Sequence, residues 1–526
     1  MNRSSENQIP KLAVWFFPSI KDILFLGFLL SPLLIEVSTV LYDTDTGWHI
    51  RNGEHILLTR NLPRSDYFSY TAYGKPWYSW EWLSDVILAI VHKYAGLNGV
   101  VFWANLTFAS IFTLLFRWTV KRGGNVLVCA LFSGLAGTAA SVHWLARPHL
   151  FTLLLLLFWY FILDKVQEGE TTKWLWCLPL MILVWTNLHG GFVIGLILLL
   201  IFAFGNYLTS LTSNDAEVGS NARHLSKRFG TMTVLCLLVT LVNPYGWGLH
   251  KHIFDAYVES SQLLDNVSEF RSPSFHVTVV KFFELLLLLG ITIVGISRRS
   301  LSFIELGLLA FWTHMALFSV RHIPLYSVII VPIFIRRLTD YFSSTESDPN
   351  VLPWVRRLTA NFNNYSQNIL RFDKQFQSYL YPVSVTVFMV ALCLNQGYLG
   401  NVRVLNKGFD PKQFPVKAAE FIEANRMEGN LFTTDQWSGY LIYRFHPRYP
   451  VFFDGRSDMY GEDLIKEYLS LITLEHNWKS LLEKYKIAWV LLPVGSPLSS
   501  ALKELNTWLV IYDDHCAIIF VKKTVP

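Results

Sequence analysis

The sequence is short of charge. Only 16% of its 526 residues are Asp, Glu, Lys or Arg, against about 25% in an average soluble protein, while 52% are hydrophobic and the mean hydropathy is +0.34. That balance excludes a disordered chain and an ordinary soluble globule. Charge of one sign is equally scarce: 44 Lys and Arg against 39 Asp and Glu leave +5, too little for a polyanion-binding surface. There are five cysteines. Cys129, Cys177, Cys236 and Cys393 lie in apolar runs and Cys516 stands alone, so no disulfide framework or cysteine metal knuckle is available. A Gly-rich phosphate loop, a zinc-protease histidine pair, a nucleophile elbow and a repeat of fixed period are also missing.

What the chain does have is long apolar stretches. A bilayer core of about 30 Å needs about 20 mostly apolar residues per helix. Eleven segments qualify, some of them short: 23–41, 99–118, 126–146, 150–163, 174–188, 192–208, 230–242, 277–296, 301–320, 323–335 and 379–396. Glu36 and bulky residues stand where a signal peptide would carry a small-residue cleavage site, so the first segment reads as an anchor. Alternate connections divide by charge. One set holds nineteen Lys and Arg, from Arg3 to Lys374; the other short connections hold only Arg147, Lys251, Arg271 and Arg321. The positive-inside rule makes the first set cytoplasmic. The long first loop, 42–98, and the tail from residue 397 then lie outside, as expected of a multi-pass protein of a bacterial inner membrane.

The tail regains charge and alternates helical with strand patterns, as an α/β domain does. The patterns predict helices at 415–426, 437–445, 462–472, 478–485 and 497–505. Strands are predicted at 430–434, 449–454 and 488–493, with a closing hairpin of 508–512 and 517–522 turned at Asp513-Asp514. The expected architecture is a polytopic helical membrane domain over 1–396 and an extracytoplasmic α/β domain over 397–526.

Polar residues gather at the outer ends of the spans, among them Arg147, His149, His189, Arg321 and His322. A charge at membrane depth costs roughly 2.5 to 3.5 kcal/mol on insertion scales, so a group of them on one face suggests a wet cavity. Singly, each reads as an interfacial residue. The sharpest local feature follows the first span: Asp43-Thr44-Asp45-Thr46-Gly47-Trp48-His49-Ile50-Arg51. In extended backbone, side chains two apart point the same way, so Asp43 and Asp45 would hold one hard divalent cation, Mg or Mn, through carboxylate oxygens. If a helix starts at Asp45, His49 shares its face; the alternative is that Asp45 only caps a helix ending near Thr59. The aromatic run Trp77-Tyr78-Ser79-Trp80-Glu81-Trp82 reads as an interfacial belt or as a sugar-stacking surface in which Glu81 orients hydroxyls. Asp85 enters the next helix. In the tail, Asp435 and Asp454 each follow a predicted strand, where α/β sheets bind ligands.

Residues 43–51, with Ile56-Leu57 and Pro63-Arg64-Ser65-Asp66, resemble the first outer loop of the GT-C superfamily of membrane glycosyltransferases, and within it that of the oligosaccharyltransferase catalytic subunit. Asp435-Gln436-Trp437-Ser438-Gly439-Tyr440 is similar to that subunit's Trp-Trp-Asp-Tyr-Gly signature, with Asp454 following as an acidic residue does there. Asn187-Leu188-His189-Gly190-Gly191 and Asn243-Pro244-Tyr245-Gly246-Trp247 resemble motifs of little-characterised bacterial membrane proteins. The resemblance implies a polyprenyl-phosphate or pyrophosphate sugar donor, an acceptor glycan, lipid or protein, and an acid of the first loop, Asp43 or Asp45, as base or metal ligand. His49, Arg51, Glu81, Arg147, His149, His189, Arg321, His322, Asp435 and Asp454 would then bind substrate. Trp437 stands where the signature has its central Asp, so peptide recognition does not carry over. The rival expectations are a metal-independent glycan ligase or polymerase and a non-catalytic lipid-glycan transporter or scaffold.

Overall fold

The computed structural model describes residues 11–34, 39–255, 268–376 and 379–523; Glu36 and Arg3 lie outside them. A helix stands at each of the eleven expected places, with shifted ends. The first runs Ile20–Leu34, and a single turn, Thr39–Leu41, then leads into the first loop. The seventh, Ala216–Val239, begins well before its apolar part and carries Arg223, Lys227 and Arg228 on its polar first turns. Ile323–Ser347 likewise outruns its apolar start. Six helices among the described residues are long and apolar enough to cross a membrane by length and composition.

Trp82–Lys121 extends for 40 residues and is broken at Gly96, whose φ of 59° no helix accommodates. The part before the break packs against the first-loop helix Asp45–Thr59; the rest enters the bundle.

After the bundle, a two-residue hairpin of β1 (Tyr398–Leu399) and β2 (Val402–Arg403) leads into a four-stranded sheet flanked by helices. Its strands are β3 (Asn430–Thr433), β4 (Ile487–Pro493), β5 (Trp508–Asp513) and β6 (Ala517–Lys522), in the order β3-β4-β6-β5. β3 and β4 run parallel, with Thr433 opposite Leu491. β4 and β6 are antiparallel, with Leu491 opposite Ile519, and β5 and β6 form the expected hairpin.

The strand expected at 449–454 does not join this sheet. Its apolar residues Val451, Phe452 and Phe453 are buried, but the backbone pairs with the first loop: Val451 N–H donates to Phe68 at 3.0 Å and Tyr70 N–H to Val451 at 3.1 Å. Alternating hydrophobicity marks burial, and here a distant loop satisfies it instead of a neighbouring strand.

The same contact continues through Gly47 and Gly439. A Cβ on Gly439 would lie 2.3 Å from the Thr44 carbonyl oxygen, and one on Gly47 2.3 Å from that of Gly439. Only glycine lets the two helices Asp45–Thr59 and Asp435–Phe445 touch backbone to backbone.

Candidate functional site

Three carboxylates from separate parts of the chain converge on one guanidinium. Arg147 follows a 3-10 turn at Ser141–His143 and precedes the helix His149–Gln167. Its Nη1 donates to Asp43 Oδ2 at 2.7 Å and to Glu269 Oε2 at 3.3 Å, and its Nη2 pairs with Asp45 Oδ2 at 2.8 Å. The two aspartates are fixed locally as well. Asp45 N–H donates to Asp43 Oδ1 at 2.8 Å, and Trp48 Nε1 to Asp45 Oδ1 at 3.0 Å. Asp45 is the first residue of its helix, with Thr44 in the cap position, so its carboxylate is turned to the cluster and not to capping. Gly455 closes the other side: a Cβ there would stand 2.1 Å from Asp45 Oδ1.

Burial, and next the Asp43 charge, push the Asp45 carboxyl up to about 7. Burial would also raise Glu269, but Arg147 and Arg321 outweigh it and hold that carboxyl down at about 2. Arg147 itself is held well above its ordinary range, because Asp43, Glu269 and Asp45 outweigh the cost of its burial.

A second group adjoins the first through Trp48, whose ring lies against that of His49, tilted by 31°, with centroids 3.6 Å apart. His49 Nδ1 lies 2.6 Å from Asp85 Oδ1, and its Nε2 faces Glu81 Oε2 at 3.7 Å. His189 faces the other oxygen of the same carboxyl. Its Nδ1 accepts from Gly191 N–H at 3.0 Å and from the Thr152 hydroxyl at 2.8 Å, so its proton sits on Nε2, 3.4 Å from Glu81 Oε1. Glu81 therefore lies between two imidazoles, those of His49 and His189. Burial pushes its carboxyl up to about 7 and His49 down to about 3.

Of the residues singled out in the sequence, Asp43, Asp45 and Arg147 meet in one ion cluster, and His49, Glu81 and His189 in the adjoining group. His149 is buried and its Nε2 donates to the His143 carbonyl at 2.9 Å. Arg321 lies over the Phe270 ring at 4.5 Å, next in sequence to Glu269, and acts electrostatically on both Glu269 and His189. His322 follows it in the 3-10 turn Val320–His322.

Three others serve elsewhere. Arg51 Nε donates to the Tyr443 carbonyl at 2.7 Å, fastening the first-loop helix to Asp435–Phe445. Asp435 accepts from the Tyr468 hydroxyl at 2.7 Å. Asp454 is fully buried and accepts from Arg456 Nη2 at 2.6 Å; the same nitrogen donates to Asp66 at 2.6 Å, beneath the rings of Phe68 and Trp77.

Sequence reasoning missed Glu269 and His143, whose Nε2 lies 3.6 Å from Glu269 Oε2. His143 was legible in principle as a lone ionisable group in an apolar run. Glu269 lies two residues before Arg271, one of the polar residues at the outer ends of the spans.

Among the described residues, no group of three or more His, Cys, Asp or Glu side chains is arranged to hold a metal ion. Three carboxylates, the donors a hard cation takes, surround Arg147, and its guanidinium pairs with all three.

No family model and no curated protein matches the chain. Solved structures do. The archaeal oligosaccharyltransferase AglB from Archaeoglobus fulgidus, in complex with an inhibitory peptide and a dolichol-phosphate, superimposes with a TM-score of 0.56 at 11% identity, over 98% of this chain and 74% of that one. The A. fulgidus enzyme in complex with Zn and sulfate gives 0.51 at 11% identity, over 96% and 72%. ArnT from Cupriavidus metallidurans, bound to undecaprenyl phosphate, gives 0.45 at 13% identity, over 95% and 96%. The chain thus shares the fold of the A. fulgidus oligosaccharyltransferase, as the first-loop residues led one to expect, and with its apolar helices it is a multi-pass integral membrane protein.

Proposed function

We propose that this protein transfers a sugar from a polyprenyl-phosphate-linked donor to an acceptor outside the cytoplasm. The convergence of Asp43, Asp45 and Glu269 on Arg147, beside the His49, Glu81 and His189 group, carries this reading. The fold shared with an enzyme whose structure holds a dolichol-phosphate supports it. In this reading the chain crosses the membrane eleven times, with its N-terminus cytoplasmic. The membrane domain comprises residues 1–396, and residues 397–526 form an extracytoplasmic domain of a bacterial inner-membrane protein.

Asp45 takes the proton as the acceptor oxygen bonds to the anomeric carbon; the bond from that carbon to the phosphate oxygen breaks, and the phosphate leaves on its lipid. Arg147 and Arg321 offset the charge developing on the departing phosphate, an effect that grows in a water-poor site. Glu81, placed between two imidazoles, passes protons to and from the acceptor side. A divalent cation held by Asp43 and Asp45, with Glu269 in reach, would act as a Lewis acid on the phosphate.

A metal-free version of the reaction is favoured by one observation: Arg147 already occupies the centre of the three carboxylates. Turnover after exhaustive chelation separates the two. The reading as a whole is tested by offering reconstituted protein a set of radiolabelled undecaprenyl-phosphate sugars. Transfer by the wild type, with loss in an Asp43→Asn/Asp45→Asn variant that is still folded, as shown by a cooperative thermal transition, is expected; full transfer by that variant rejects it.

A further inference from the structure

One helix belongs neither to the bundle spans nor to the α/β sheet. Pro353–Asp373 is rich in Asn and Arg, and no 20-residue apolar stretch lies within it, yet it exposes a row of large apolar side chains. Trp354 is 66% exposed, Leu358 61%, Tyr365 62% and Phe372 56%. At 100° per residue these four fall within a stripe about 40° wide. Arg357, Asn364 and Arg371 follow on one side of the stripe. On the other side Thr359 and Ser366 are buried against the protein.

Its level is fixed by the ends of four apolar helices. Ser366 Oγ donates to Asn125 at 2.8 Å, and Asn125 caps the helix Val126–Ala140. Phe362 meets Phe342 edge to face at 5.1 Å near the end of Ile323–Ser347. Asp373 accepts from Ile20 N–H at 2.7 Å, where Ile20–Leu34 begins. Phe372 packs on Phe376 and Phe376 on Phe17, and Lys21 lies over Tyr379 just before Leu380–Leu394. A helix that touches the ends of these segments lies across them, at the height where hydrocarbon gives way to headgroups.

We propose that Pro353–Asp373 lies in the plane of the membrane, its Trp354, Leu358, Tyr365 and Phe372 stripe immersed among lipid chains and its Arg357 and Arg371 binding anionic phospholipid headgroups. The occupant of the stripe is lipid because the exposed residues on its charged side, Arg357 and Arg371, are of one sign, because the stripe is built of aromatic and aliphatic residues as in interfacial helices, and because it continues into the exposed Phe17 and Tyr379 at the span ends. The inference is independent of the reaction proposed above.

The test introduces a nitroxide on a ketone-bearing amino acid at positions 354, 358, 365 and 372, and in separate samples at 357, 364 and 371. The full-length chain, with its native cysteines, is reconstituted in phosphatidylcholine vesicles with and without phosphatidylglycerol. Stripe positions should be reached by oxygen and shielded from an aqueous nickel complex, and the polar positions should show the reverse. The preference for spin-labelled phosphatidylglycerol over phosphatidylcholine should fall at least about fivefold in Arg357→Glu/Arg371→Glu. Stripe positions open to the nickel complex, or closed to both quenchers because protein covers them, would overturn the proposal, as would an unchanged lipid preference.

Discussion

Arg147 holds three acids at once, so its removal leaves buried negative charge without a counter-ion. Breaking such a cluster by deleting one partner costs about 3–5 kcal/mol. Arg147→Met should therefore lower the thermal unfolding temperature in detergent, and Arg147→Lys should recover less than half of the loss, because an ammonium cannot span Asp43, Asp45 and Glu269 together. Glu81 has the opposite sign. Its folded-state carboxyl titrates near 7 against an ordinary 4.5, so between those values the folded protein holds a proton that the unfolded chain has lost. Stability then falls as pH rises from about 4.5 to about 7 and is level above. Glu81→Gln should flatten that slope and be the more stable protein at pH 8, by roughly 1–3 kcal/mol; unfolding temperatures of both proteins across pH 5 to 8 check it. At this scale the sequence was partly legible. Asp43 and Asp45 were visible because they are neighbours. Their meeting with Arg147, 104 residues further on, and with Glu269 is a product of folding that no local spacing encodes.

Among the elements, the helices Asp45–Thr59 and Asp435–Phe445 are the pair whose packing sets the site. Their contact admits no side chain at Gly47 or Gly439. Gly439→Ala should cost about 1–3 kcal/mol and loosen the first loop, seen as faster proteolytic cleavage within residues 60–80. Gly455→Ala makes a narrower prediction. Its new methyl group would collide with the Asp45 carboxylate, so sugar transfer should drop at least about tenfold while the unfolding temperature changes little, a split that a purely structural role would not produce. The helices and most strands of the tail could be read from periodicity. The segment 449–454 could not, because buried Val451, Phe452 and Phe453 look the same whether a strand or a loop covers them.

For the whole molecule, the eleven apolar segments were legible because each needs only its own composition to be recognised, whereas their true ends, such as the polar start of Ala216–Val239, follow from packing and loop contacts. The proposed topology puts residues 298–299, 336–337 and 356–357 on one side of the membrane and the tail on the other. A membrane-impermeant thiol reagent should label cysteines placed at Arg299 and at Lys503 from opposite sides of intact vesicles. Labelling from the same side would refute the topology.

The Asp66 to Arg456 bond joins residues 390 apart in sequence. Asp66, Phe68 and Trp77 are all buried in the finished protein. A ribosome adding about 5–20 residues per second needs roughly 20–80 s to make the second half of that contact. For that interval the nascent first loop has greasy and acidic groups prepared for a partner that does not yet exist, and a chain stopped short of residue 456 keeps them uncovered for good. Premature termination should therefore yield a protein that inserts into the bilayer and is then recognised as incomplete by the cell's quality-control proteases.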